Sequence, residues 1–241
     1  MCTVTWTARA DGYHLLCNRD ELHTRRPALA PHILERGGVR YIAPLDSEFG
    51  GTWIAVNEFG MSLCLLNGAP IQASTGAARR SRGLLLPELV WASGSAECAL
   101  WLKQLDLGRF APFTLLVLEP GQPALVADWD RGSLRLDPAA DARMPLTSSS
   151  VDPAGVCRSR AGEFENYVGS DGAIDPAALY RFHSSHGPRA GAYSACMHRD
   201  DAATVSFSWA IVTGRQVRFL YSPGAPCQWS PTRQQILARA A

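Results

Sequence analysis

Cys2 directly follows the initiator methionine. Cysteine is small enough for methionine excision to be expected, which would leave a thiol and a free α-amine on one residue. An unperturbed thiol titrates near about 8.5 and an α-amine near about 7.7–8.0, so around neutral pH part of the amine can accept the thiol proton. That pairing is a nucleophile with its base attached. The competing reading is a small apolar residue in a first strand that keeps Met1. A second group with chemical potential is the charged run Asn18-Arg19-Asp20-Glu21, and a third is His183-Ser184-Ser185-His186 with Cys196-Met197-His198. His, Met and Cys are all axial haem ligands, although clusters of this kind are more often surface or core. The proline precedes Cys227, so no short Cys-Pro haem motif is formed. None of the seven cysteines forms a C-x-x-C, so a structural zinc site has no support from spacing and no metal site is expected.

Residues 2–8 are β-rich from the outset, Asp11-Gly12 marks a tight turn, and residues 13–17 form a second strand ending in the charged run. Such a hairpin would hold Cys2 rigidly, whereas most chain ends fray. With its own amine and a basic cluster beside it, Cys2 is expected to be the most reactive of the seven cysteines. Residues 23–40 are rich in Arg, Pro and Gly without periodicity and are expected to form a long loop, with Arg25, Arg26 and Arg36 mostly solvated. Residues 50–56 and 60–66 read as a second hairpin around Asn57-Glu58-Phe59-Gly60, closed by Asn67-Gly68.

Apolar residues at helical spacing over 81–105 predict two helices broken at Ser93-Gly94-Ser95, with Pro87 kinking or restarting the first. Strands follow at 113–118, 124–129 and 133–136. Asp152-Pro153 and Asp175-Pro176 each supply a capping carboxylate and a first-turn proline for a helix. A last hairpin spans 203–221. Strands, two helices, strands, two helices and strands predict an α+β fold of two mainly antiparallel sheets packed face to face with helices outside both. No repeat or linker divides residues 1–241, so a single domain is expected.

Composition restricts the partners. With 46% hydrophobic residues, 19% charged residues and a net charge of +1, the chain lacks the basic field of a nucleic-acid binder. No stretch approaches the ~20 apolar residues of a membrane span, and no apolar leader follows a basic flank. An odd number of cysteines without paired spacing favours free thiols, and with them a cytoplasmic location.

The opening Met-Cys-Thr, the Asp11-Gly12-Tyr13-His14-Leu15-Leu16 turn, Asn18-Arg19-Asp20-Glu21, Arg26-Pro27, Gly50-Gly51-Thr52-Trp53 and Asn57-Glu58-Phe59-Gly60 resemble the NRDE family. That family is also called the transport and Golgi organisation 2 family. The resemblance covers the first third of the chain and rests on weaker patterns beyond residue 70. It implies the four-layer αββα sandwich of N-terminal nucleophile hydrolases. More distantly, the same opening is similar to the cholylglycine hydrolase and penicillin V acylase group, amidases whose nucleophile is an N-terminal cysteine. By that similarity Asn67 falls at an oxyanion donor, a role typically worth about 2.7–4 kcal/mol; its alternative is a turn residue tolerant of unusual backbone angles.

The acylases' second asparagine donor falls near Thr147-Ser148-Ser149, where the Ser148 hydroxyl donates a single hydrogen bond. In the acylases an Arg followed three positions later by Asp closes the second strand, whereas here those positions hold Asn18 and Glu21 with Arg19 and Asp20 between them. Strand alternation groups Asn18 with Asp20 and Arg19 with Glu21. Arg19 and Asp20 are assigned as orienting groups, Asn18 and Glu21 as substrate-binding, and Arg199 as a further arginine of the site. The alternative for the run is a structural salt-bridged corner.

Two functions follow from the resemblance. The first is an N-terminal cysteine amidohydrolase cleaving a small acyl amide without a required cofactor, using Cys2, Arg19, Asp20, Asn67 and Ser148. The second is a non-catalytic carrier on the same fold, holding haem or an acyl lipid in the corresponding cleft, since fold does not fix function.

Overall fold

The protein is described by a computed structural model covering residues 2–68, 80–169, 174–228 and 233–240. Met1 and Pro70 lie outside these residues. In chain order the strands are β1 (Cys2–Arg9), β2 (Gly12–Leu22), β3 (Leu29–Arg36), β4 (Val39–Leu45), β5 (Ile54–Asn57) and β6 (Ser62–Asn67), followed by helices α1 (Leu86–Leu89) and α2 (Ser95–Gln104). Then come β7 (Phe113–Leu118), β8 (Leu125–Trp129), β9 (Leu134–Asp137) and β10 (Leu146–Ser148), helices α3 (Pro153–Glu165) and α4 (Pro176–His183), and β11 (Ala202–Val212), β12 (Gln216–Ser222) and β13 (Arg233–Ala238). One sheet runs β10-β1-β2-β11-β12-β13 and the other β3-β4-β5-β6-β7-β8-β9. Every ladder in them is antiparallel.

Period-two alternation makes the layers. From β1, Cys2, Val4 and Trp6 enter the core between the sheets, where they meet Ile54, Val56 and Leu116 of the second sheet. Thr3, Thr5 and Thr7 point the other way and are also buried, because α3 and α4 cover that face around Leu16, Phe164, Phe182 and Phe207. On the opposite side, α1 and α2 bring Leu86, Leu89, Cys98 and Leu102 onto Leu63, Leu115 and Ala127. The result is the four-layer α+β sandwich. Each fully buried Leu or Phe contributes roughly 1.5–3 kcal/mol.

Local signals explain most element ends. Pro87 sits in the first turn of α1, where its missing N–H costs nothing. Asp152 accepts from Gly155 N–H at 3.1 Å to open α3, and Asp175 accepts from Ala177 N–H at 3.0 Å to open α4. The expected loop over residues 23–40 is instead largely the β3–β4 hairpin. Its turn is Gly37-Gly38, with φ of +60° and +79°, a two-residue geometry in which both positions favour glycine. β13 is a further strand that pattern reading did not anticipate. No helix among the described residues is long and apolar enough to cross a membrane.

Candidate active site

The β1 register fixes the site. Cys2 lies opposite Arg19 of β2 on one side and opposite Ser148 of β10 on the other. The Cys2 backbone N–H donates to Ser148 Oγ at 3.1 Å. Cys2 and Arg19 share a face and line a cavity of about 440 Å³, to which Glu21, Asn67 and Arg82 also contribute. Asn67 arrives from the other sheet, at the end of β6. The next residue holds it there: Gly68 N–H donates to Pro112 O at 3.0 Å, and a Cβ at Gly68 would come within 2.7 Å of the Pro112 carbonyl carbon.

A hydrogen bond with Cys17 and burial together hold the Cys2 thiol well above its ordinary range. Cys17 Sγ in turn lies 3.8 Å from Cys64 Sγ, so a line of thiols runs from the cavity into the core. A thiol held up in this way is protonated at neutral pH and needs a base to become a nucleophile. Cys2 is also only 6% exposed, whereas Cys157 and Cys227 are half-buried. Burial stands against the expectation that Cys2 is the most reactive cysteine toward a bulk reagent, since access counts as well as neighbouring charge.

The cavity's charges are mostly committed. Arg19 Nη2 lies 3.4 Å from both Glu21 Oε1 and Asp46 Oδ2, and its guanidinium stacks 4.2 Å over the Trp53 ring. Arg25 also pairs with Asp46 and lines the cavity; it is not merely a solvated loop residue. Against burial, which would raise it, the Arg25 guanidinium and the Glu48 and Phe49 N–H groups hold the Asp46 carboxyl below its usual value. Arg82 makes no ion pair among the described residues and donates to Pro112 O at 3.0 Å. Burial draws it below the usual guanidinium range, partly offset by the nearby Cys2 sulfur.

Strand parity separates the remaining candidates. Asp20 and Asn18 point away from Cys2 and do not line the cavity. Asn18 is fully buried and donates from Nδ2 to His183 O at 2.9 Å and Ala195 O at 2.8 Å. Asp20 pairs with Arg160 Nη1 at 3.3 Å and accepts from Thr204 Oγ1 at 2.7 Å, with both members of the ion pair wholly buried. Arg160 also donates to Thr3 Oγ1, and to Ala192 O at 3.1 Å. Ser148 touches the Cys2 nitrogen and is not among the residues lining the cavity. Arg199 pairs with Asp201 at 2.7 Å outside it. The pairing of Arg19 with Asp20, the substrate role of Asn18 and the placement of Arg199 in the site are therefore corrected: neighbours in a strand face opposite ways, and Arg199 is held at another loop. Arg82 and Arg160 were missed because their relevance depends on contacts remote in sequence.

Two antiparallel sheets between helical layers, with Cys2 on the cavity wall, form a sandwich similar in fold to that of N-terminal nucleophile hydrolases. Solved structures with this fold match along most of the chain. A penicillin V acylase from Agrobacterium tumefaciens is 10% identical, with 91% of this chain and 82% of that chain covered at a TM-score of 0.58. A Caenorhabditis elegans ortholog of N-acylethanolamine-hydrolyzing acid amidase is 13% identical, covering 98% and 100% at 0.59. A C2A mutant of the conjugated bile acid hydrolase from Clostridium perfringens is 12% identical, covering 99% and 92% at 0.54. At these identities the likeness is one of fold. The family model for Transport and Golgi organisation 2 matches residues 1–140, and the chain belongs to that family. No curated protein matches the sequence significantly.

Proposed function

We propose that this protein is an N-terminal cysteine amidohydrolase that cleaves a small acyl amide once Met1 is removed. The observation that carries the reading is Cys2 at the cavity wall with its nitrogen held by Ser148 Oγ at 3.1 Å. In the mature chain that nitrogen is the α-amine. It takes the thiol proton, and the sulfur attacks the amide carbon to form a tetrahedral oxyanion. The Asn67 side-chain N–H donates to that oxyanion as its charge develops. The protonated amine then passes its proton to the leaving nitrogen, the C–N bond breaks, and a thioester remains on Cys2. Water, deprotonated by the same amine, releases the acid and regenerates the thiol.

Ser148 acts here by orienting the base, and Arg82 meets a carbonyl or acidic group of the substrate. Three fold neighbours carry names of amide or conjugate hydrolases, which supports the substrate class. The same names do not select a particular acyl amide.

A carrier of haem or acyl lipid has less support, because the Arg19, Glu21, Arg25 and Asp46 ion pairs share the cavity wall with the apolar Phe49, Trp53 and Leu65. Seven free cysteines favour a reducing compartment, and we place the activity in the cytoplasm.

The test is intact-mass analysis followed by an acyl-amide panel. Loss of Met1, amine release and a Cys2 acyl adduct are expected, with turnover abolished in Cys2→Ala while binding persists. A retained Met1, or a Cys2→Ala variant that turns over like the wild type, would sink the proposal; ligand binding without turnover in either form would favour the carrier.

A further inference from the structure

His186, Cys196, His198 and Cys227, none of which lines the cavity, come together with one ligand atom from each lying within 4.8 Å of all the others. We propose that these four side chains form a structural zinc site. It is independent of the hydrolase reading and would stand if that reading failed.

Two of the donor–donor distances match a tetrahedral metal cage. Cys196 Sγ and Cys227 Sγ each lie 3.5 Å from His198 Nε2. With Zn–S near about 2.3 Å and Zn–N near about 2.0–2.1 Å, a tetrahedral centre sets sulfur and nitrogen about 3.5–3.6 Å apart. A Cys–His hydrogen bond would account for one such pair. It does not account for four donor atoms converging from separate parts of the chain. Two thiolates and two imidazoles suit zinc over harder cations, and four protein ligands make a closed, structural centre with no position left for substrate. Binding deprotonates both cysteines, and two protons leave to solvent. The exposed His186 provides an entry path for the ion.

The backbone already supports the arrangement. Cys196 N–H donates to Ser185 O at 2.9 Å, which sets the Cys196 segment beside His186, and Met197 N–H donates to Thr204 Oγ1 at 2.9 Å. Cys227 lies in the short turn Pro226–Gln228 after β12. A metal here would tie that turn to the loop between α4 and β11. The same loop supplies Ala192 O to Arg160 and Ala195 O to Asn18, the partners behind β2. A zinc ion would thus brace the strand that carries Arg19.

The spacing is His-x9-Cys-x-His-x28-Cys and contains no C-x-x-C, so the absence of that motif was no guide to the presence of a site.

The experiment uses the full, untagged chain expressed with zinc and purified without chelator. Elemental analysis should find about one zinc per chain, and cobalt substitution should give the intense visible bands and thiolate charge transfer of a tetrahedral site. Cys227→Ser and His198→Asn should each weaken zinc binding by more than the roughly 10–100-fold that loss of an outer-shell partner costs. Because a ligand variant can fail to fold, a strong chelator is also added to the folded wild type. It should release the zinc and raise hydrogen exchange over residues 186–199. Wild-type chain that binds no more zinc than a Cys196→Ser/Cys227→Ser double variant would overturn the proposal. So would a Cys196–Cys227 disulfide in chain purified with zinc under reducing conditions, or octahedral cobalt spectra.

Discussion

Replacing Arg160 with Met tests where Asp20 works. The Arg160 and Asp20 side chains are both 0% exposed and pair at 3.3 Å, so solvent screening does not reduce their coupling as it would at the surface. The substitution keeps the aliphatic volume of the arginine stem and removes the charge, leaving the Asp20 carboxylate buried without its cation. Thr3 Oγ1 and Ala192 O lose their donor as well. Breaking one side of a buried pair typically costs about 3–5 kcal/mol. In a domain of this size each kcal/mol lowers the melting temperature by roughly 2–4 °C, so the expected drop is roughly 6–20 °C. Urea and thermal unfolding of Arg160→Met, Asp20→Asn and the double variant measure it. The double variant should lose less than the sum of the singles, because each single already breaks the same interaction. At a temperature where all variants are folded, hydrolysis per folded molecule should change little. Arg160→Met melting within about 2 °C of the wild type would refute the reasoning. Asp20→Asn that keeps full stability but loses turnover would also refute it, by returning Asp20 to the chemistry.

Asn67→Ala should lower kcat by roughly 100–1,000-fold with little change in KM, because an oxyanion donor is needed most as negative charge develops; an unchanged kcat in steady-state assays would remove Asn67 from the site. Burial, with Arg160 adding to it, pushes His183 down from its ordinary 6.5 to about 3, so the folded chain keeps it neutral where the unfolded chain takes up a proton. Its contribution is therefore whole above about 6.5 and lost as pH falls toward about 3, at up to about 1.4 kcal/mol per unit, and denaturation of His183→Gln should show a flatter acid limb. Limiting alkylation followed by peptide mapping should label Cys157 before Cys2, since Cys157 is the more exposed and Cys2 is pinned beside Cys17; Cys2 labelling first would mean the cavity opens more than this structure shows.

The first hairpin, the proline-started helices and the two-sheet plan were legible because each rests on a local signal: a Gly at a turn, a carboxylate before Pro153 and Pro176, or alternation along a strand. The β3–β4 hairpin was obscured by its position. β3 is an edge strand, where Pro31 and a register shift between Leu29 and His32 are tolerated and the composition looks loop-like. The Gly37-Gly38 turn was the available clue. In the candidate site, Cys2 and Asn67 could be singled out from sequence, but the facing of residues 18–21 could not. It depends on the pairing of Cys2 with Arg19, and a slip of one residue would have sent Asp20 to the cavity instead. The four-ligand cluster was hidden for a related reason, because its members meet only after α4, β11 and β12 are placed.

The four residues of the Asn18-Arg19-Asp20-Glu21 motif then divide into two jobs by parity alone. Arg19 and Glu21 face the cavity, where Arg19 stacks on Trp53 and pairs with Glu21 and Asp46. Asn18 and Asp20 face the helical layer, where one is tied to the carbonyls of His183 and Ala195 and the other to Arg160 and Thr204. Asn57 of the second motif is architectural in the same way. Its Nδ2 donates to Val90 O and Ala92 O at 2.8 Å each, while its Oδ1 accepts from the Phe59 and Met61 backbone N–H groups. A polar run in a central strand is costly unless its buried members find partners, and here the Asn18 Nδ2 and Asp20 hydrogen bonds fix the strand on which the inward pair stands. The geometry around Cys2 is thus set from behind as well as from the cavity. Substitutions at Asn18 or Asp20 should consequently register in stability measurements, whereas Arg19 and Glu21 are the members of the motif placed to touch a ligand.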